Sequence, residues 1–217
     1  MSRMVDISLV FLPAIRGARR GRVLLFFHPH RRRKRLRAET DRLGATEAED
    51  ASALGDGAEW VWALAALVLP QAEGTLDVFH ALEHVASAAN AVWGIGTAGA
   101  EAGLEAGRKA LLSQGKAGIE RWIGESFAHA GSPEAEEALL GLAAYLAKHP
   151  GRLGYAERLA EGRSIGSGMV EGAVKQLVNQ RLKTTGAAKW LPGNVGPLVE
   201  LVSFADSPEW QAYWSTT

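Results

Sequence analysis

Leu54-Gly55-Asp56-Gly57-Ala58-Glu59-Trp60-Val61-Trp62 is the stretch from which the fold is read. A short apolar run ends on an acid held between two glycines, and a tryptophan-bearing apolar run follows at once. That order predicts a strand that stops, a backbone that turns sharply, and a helix from Trp60 to Leu69 closed by Pro70. Such a turn leaves the carboxylate of Asp56 exposed at a strand end, on the kind of connection that carries function. Asp-Gly is also ordinary turn chemistry, so the motif alone leaves both readings open.

Downstream, Thr75 to His80 reads as a short strand entering a helix that carries Glu83 and His84. His80 and His84 lie four apart and share a helix face, and with Glu83 between them they spell the inverted zinc-protease pattern. A zinc site would need a third ligand, for which Glu157 or Glu161 are the candidates. The alternative is a histidine pair that supports another site or sits at the edge of the core. From Ala88 to Leu159 the chain is rich in Ala, Leu, Glu and Gly. Helical patterns cover Gly103 to Leu112, Ile119 to Ala128 and Glu134 to Lys148. The last starts at Ser132-Pro133-Glu134 and stops before Pro150-Gly151. Gly94, Gly96 and Gly99 follow no strand and read as a link rather than a nucleotide loop.

A second informative stretch is Ser164-Ile165-Gly166-Ser167-Gly168-Met169-Val170-Glu171-Gly172. It is a Gly/Ser loop running into a helical pattern with Val170, Ala173, Val174, Leu177 and Val178 on one face and Glu171 and Lys175 on another. Glu171 then stands in a first helical turn, where it complements the helix dipole and pairs with Lys175, or serves as a site acid. A segment broken by Pro192 and Pro197 leads to Leu198 to Phe204. Trp210 and Trp214, four apart, are expected to dock a last helix on the core.

Upstream, Met4 to Leu12 and Arg22 to His28 read as two strands forming a hairpin, and Glu39 to Ala51 as a helix. His28-Pro29-His30 reads as surface residues, though it has a loose metal-ligand spacing. The net charge of zero hides a division: residues 1–37 hold 11 Lys/Arg and one acid, leaving 13 basic and 23 acidic residues in the other 180. The run Arg31-Arg32-Arg33-Lys34-Arg35-Leu36-Arg37 is suited to polyphosphate, or is a solvated tail. Cysteine is absent, which excludes disulfides and thiolate-bound zinc. At 47% hydrophobic, the chain can bury a core, and its apolar runs are too short to span a bilayer.

Taken together, the Gly55 to Trp62 block, Asp77-Val78-Phe79-His80-Ala81-Leu82-Glu83-His84, and Ile165 to Gly172 with Arg181-Leu182-Lys183 and Trp190 resemble one bacterial family. They are similar to the DDE transposases of Kra-type insertion sequences, which share the organisation of Mutator-like transposases. The resemblance runs from about Leu43 to the C-terminus. It implies an α/β fold with an RNase H-like core, incomplete here, and an all-helical insertion at about residues 88–159 between the second and third catalytic acids. In that family three acids hold two Mg²⁺ (or Mn²⁺) ions, which activate water or a DNA 3′-hydroxyl for in-line displacement at phosphorus.

By position, Asp56 matches the second acid and Glu171 the third. Asp77 and His80 match a site-supporting pair, and Lys175, Arg181 and Lys183 would face the DNA backbone if they are not merely solvated. The partners implied are insertion-sequence ends and target DNA, bound by a homo-oligomer in the cytoplasm with no membrane involved. The family's first acid lies upstream on the first strand, before a glycine. Here Asp6 is the sole acid before Glu39, and Ile7 follows it.

Two expectations follow from that departure. In one, residues 1–37 are a basic segment of separate origin joined to a transposase catalytic domain at 38–217, truncated or frame-disrupted at its start and catalytically impaired. In the other, the Met4 to His28 hairpin rebuilds the sheet and Asp6 supplies the missing carboxylate. DNA transposition is the function expected, with a DNA-binding remnant that no longer cuts, or a zinc hydrolase using His80 and His84, as the alternatives.

Overall fold

The computed structural model describes residues 4–10, 23–26, 33–42, 45–48, 50–168, 192–205 and 208–215. Two compact units emerge, one comprising Met1–Glu73 with Ser167–Thr217 and the other Gly74–Gly166. Strands and helices both contribute, with helices predominating, so the fold is α/β.

The first unit begins with β1 (Met4–Val10) and β2 (Val23–Phe26), followed by α1 (Arg33–Arg42), β3 (Asp50–Gly55) and α2 (Glu59–Val68). β1 lies between the other two strands and is parallel to both. Ile7 pairs with Val23 on one side, and Asp6 pairs with Ser52 on the other. The expected hairpin is therefore corrected: both strands form close to where they were read, but parallel strands are not joined by a tight antiparallel turn. In β3 every residue from Ala51 to Gly55 is buried, as a parallel strand covered on both faces requires.

The helix expected over Glu39 to Ala51 instead runs earlier, as α1. Leu36 and Thr40, one turn apart, form its buried side, and the Thr40 hydroxyl donates to the Leu36 carbonyl at 3.0 Å. Ala51 and Ala53 go into β3, where burial in the sheet outweighs alanine's helical preference. Around them, Leu36, Val61, Ala65, Val68 and Leu69 close a small apolar core.

β4 (Glu73–Leu76) spans the boundary between the units. The second unit then continues as α3 (Val78–Trp93), α4 (Ala98–Phe127), α5 (Pro133–Ala147) and α6 (Tyr155–Ala160). Each of the three long helices opens on a side-chain cap: Asp77 accepts from Phe79 N–H, Thr97 from Ala100 N–H and Ser132 from Ala135 N–H. Val85, Leu111, Ile119, Leu139 and Tyr155 are fully buried at its centre. Large rings fit against missing side chains. A Cβ at Gly103 would lie 2.5 Å from the Trp93 ring, and one at Gly107 would lie 2.7 Å from Val85 and 3.0 Å from Trp122.

α4 is two helical arms broken at Gly115, whose φ of 55° and ψ of −134° no L-residue adopts comfortably. A Cβ there would also meet the Leu153 carbonyl oxygen at 2.7 Å.

The chain's last described helices, α7 (Pro192–Ala205) and α8 (Pro208–Ser215), belong to the first unit. Pro192 opens α7 and Pro197 lies within it, so the expected break between them is a single helix. Trp210 and Trp214 pack on each other at 5.4 Å, and Trp210 meets Phe204 of α7, while Trp214 stays 57% exposed. Among the described residues no helix is long and apolar enough to cross a membrane.

Gly115→Ala is expected to cost the helical unit about 2 kcal/mol or more, from left-handed backbone strain and the clash with Leu153. Gly124→Ala, in the same helix with nothing within 4 Å, is expected to add about 1 kcal/mol through helix propensity. Denaturant titration of both variants checks the pair, and the two shifts must have opposite sign.

Candidate active site

Asp56 sits at the carboxyl end of β3, the end at which parallel α/β sheets present their functional groups. The local chain leaves it little choice of position. A Cβ at Gly55 would lie 2.6 Å from Val61 Cγ1 and 3.2 Å from the Trp62 ring, so α2 packs straight onto the strand end. Gly57 then reverses the chain with φ 96°. The half-buried Asp56 carboxylate accepts the Ala58 N–H at 3.0 Å, bending back over the turn just before α2 begins. One oxygen is thereby oriented by the backbone.

Asp6 stands differently. Its register partner is Ser52, four residues before Asp56, or about 13 Å lower along the strand at a rise of roughly 3.3 Å per residue. The register thus sets Asp6 level with Ser52 rather than with Asp56.

In the second unit, Asp77 is 4% exposed and caps α3, its Oδ1 accepting from Phe79 N–H at 2.8 Å. His80 lies on the first turn of α3 with Nδ1 3.0 Å from Glu83 Oε2, both side chains largely exposed. The structure thus gives the two residues matched as a supporting pair separate local partners. Glu171, Lys175, Arg181 and Lys183 lie outside the described residues.

The zinc arrangement does not assemble. His84 stacks on Tyr145 with ring centroids 3.8 Å apart, and His80 is engaged with Glu83. Glu161, one proposed third ligand, is bound to Arg163 at 2.8 Å. Among the described residues no group of three or more His, Cys, Asp or Glu is placed to hold a metal ion. Asp56 is nevertheless a hard oxygen donor of the kind Mg²⁺ takes. Mg²⁺ commonly binds through one or two carboxylates, completing its shell with water and substrate phosphate. Asp56 is of the chemical type to serve as one such ligand.

Two residues that sequence reasoning passed over are Tyr155 and Arg158, one turn apart on α6. Tyr155 is fully buried and donates its hydroxyl to the Leu76 carbonyl at 3.0 Å, beside the Asp77 cap. Burial, with the charge of Asp77 adding to it, pushes that hydroxyl's pKa well up, so it stays a donor. Arg158 is 3% exposed and its Nε donates to the Ser164 carbonyl at 3.1 Å. The available signal was weak: a tyrosine and an arginine at i and i+3 just after a glycine.

His149 packs edge-on against Tyr145, which stacks on His84. Desolvation holds both imidazoles below their ordinary value. At His149 the charges of Arg152 and Lys148 lower it further, and at His84 that of Glu83 partly opposes the shift. The unfolded chain therefore binds more protons than the folded one just below 6.5. The helical unit is expected to hold its full stability above about pH 6.5 and to lose part of it as pH falls through that value toward the folded pKa values. Melting temperature measured from pH 8 to pH 5 checks this, and His149→Gln should flatten the decline.

Compared with protein-family models, curated proteins and solved structures, the chain matches none.

Proposed function

We propose that the chain is the catalytic part of a DDE-type transposase, cutting and joining DNA with Mg²⁺ or Mn²⁺ at a site built from Asp56 and Glu171. The observation that carries the reading is the Gly55-Asp56-Gly57 turn, an acid oriented by a backbone N–H at the carboxyl end of a parallel strand. The chain's organisation supports it as well. A separate helical unit, Gly74–Gly166, lies in sequence between the strand that carries Asp56 and the segment that carries Glu171. This is the order of an RNase H-like core with a helical insertion between its second and third acids.

Each residue has a definite task on this reading. Asp56 and Glu171 would hold divalent metal, while Lys175, Arg181 and Lys183 would neutralise phosphates and set the DNA's register without reading its sequence. Asp77 and His80 organise the start of α3. The bound ion supplies charge neutralisation at the phosphate and a more acidic water or 3′-hydroxyl. DNA ends and a target are the substrates, engaged by a homo-oligomer.

One observation favours a second reading. Asp6 is level with Ser52 rather than Asp56, which favours a site of two acids. A protein with under-ligated ions would bind DNA and no longer cut it.

Asp56→Asn separates these readings cleanly, because the amide oxygen still accepts the Ala58 N–H and the turn survives while the charge is lost. Mg²⁺-dependent nicking of DNA bearing inverted-repeat ends is expected to fall at least about 100-fold in Asp56→Asn and in Glu171→Gln, with DNA affinity within a few-fold of wild type. Nicking that persists in both variants rejects the assigned acids. DNA binding by the wild type, with no nicking in Mg²⁺ or Mn²⁺, supports the remnant.

A further inference from the structure

The turn that follows α5 is bonded at both ends. His149 donates its N–H to the Leu146 carbonyl at 3.0 Å, and its own carbonyl accepts the Arg152 N–H at 3.2 Å, with Gly151 reversing the chain at φ 73°. The Arg152 carbonyl accepts the Leu76 N–H at 3.0 Å. Leu76 is the last residue of β4 and stands just before the Asp77 cap of α3, its own carbonyl held by the Tyr155 hydroxyl. One side chain in this series can change its charge near neutral pH. His149 is 3% exposed, and its ring lies edge-on against Tyr145 with centroids 5.1 Å apart.

We propose that His149 is an acid-released latch. Neutral, it seats the Lys148 to Arg152 turn against Tyr145 and so keeps the Leu76 N–H bonded; protonated, it leaves that seat, and the turn lets go of β4 ahead of any wider unfolding. The surroundings decide the direction. Desolvation weighs most against an imidazolium at this position, followed by the charges of Arg152 and Lys148 on its own turn and of His84 on α3, which stacks on Tyr145. Beyond His84 stand His80 and Glu83, bonded to each other at 3.0 Å, with Glu83 acting on His84. The C-terminus of α5 attracts a cation, but its C-cap residue Lys148 already supplies one. A buried imidazolium among these groups is disfavoured, and moving out to water relieves it. The closed turn therefore binds fewer protons than the open one below about pH 6.5. Closure is complete above that pH and is lost as pH falls toward the folded pKa of His149. The latch lies wholly within Gly74–Gly166 and is independent of the roles proposed for Asp56 and Glu171.

Native-state hydrogen exchange on the whole chain tests the latch, each rate being divided by that of an unstructured amide at the same pH. Protection at the Leu76 amide is expected to fall about fivefold from pH 7.5 to pH 5.5, with a ceiling of about tenfold for one histidine. At pH 5.5, low concentrations of urea should leave Leu76 protection nearly unchanged, because a local opening exposes little surface, while protection at buried Leu111 falls steeply. His149→Gln should make Leu76 protection independent of pH, and His84→Gln should keep the decline. In the wild type, the His149 ring protons followed by NMR should titrate below 6.5, over the range in which Leu76 loses protection, a readout that requires no variant to fold.

Constant Leu76 protection across this range overturns the latch. A urea dependence at Leu76 equal to that at Leu111 also overturns it, since the opening would then be global. So does a pH dependence that survives His149→Gln or vanishes in His84→Gln, and so does a His149 ring that titrates at or above 6.5.

Discussion

The missing side chain at Gly55 governs the strand end on which the proposed site is built. Val61 and Trp62 occupy the space that any Cβ would take, so α2 descends on β3 without an intervening layer. That closeness is what compels the chain to reverse within two residues, through the positive φ of Gly57, and to bring Ala58 N–H within reach of the Asp56 carboxylate. An aspartate at the end of a looser turn would sample several rotamers. Here the helix, the strand and the acid are fixed by one steric condition, and the carboxylate is aimed before any ligand arrives.

The helical unit relies on the same device, repeated. Gly103 and Gly107 are small so that Trp93, Trp122 and Val85 can be large, and Gly115 lets α4 change direction where the Leu153 carbonyl leaves no room. Buried polar side chains tie down backbone carbonyls, Tyr155 that of Leu76, remote in sequence, and Arg158 that of Ser164 in the following loop. Buried polar groups of this kind are costly to leave unmade and therefore specify one arrangement of the chain. The short helix α6 thus has an influence out of proportion to its length, bonding both to the strand before α3 and to the loop that follows it.

What was legible in the sequence was what local chemistry decides. The strand, turn and helix around Asp56 were readable because glycine spacing and apolar periodicity act over a few residues. The start of α5 was readable because Ser132 and Pro133 are a cap and a first-turn proline. The parallel pairing of β1 was not, since its hydrogen bonds are made by backbone atoms to strands distant in sequence, and nothing in Met4–Val10 encodes their direction. α1 was placed too late because alanine and acids suggested helix where burial in β3 prevails. Arg158 and Tyr155 escaped notice for a related reason: their partners are main-chain carbonyls, which every residue possesses. Of the candidate site, Asp56 was found where it was expected, and the His80 and His84 pair resolved into separate contacts with Glu83 and Tyr145.

The central claim is that Asp56 and Glu171, remote in sequence, belong to one divalent-metal site. Paramagnetic broadening by Mn²⁺ tests it directly, because the effect falls steeply with distance from the ion. The amide resonances of Gly57 and Gly172, each adjacent to one of the acids, should broaden together at substoichiometric Mn²⁺ and recover together when Mg²⁺ is added in excess. Broadening confined to one of them, or centred on the His80 and His84 amides, would contradict the account.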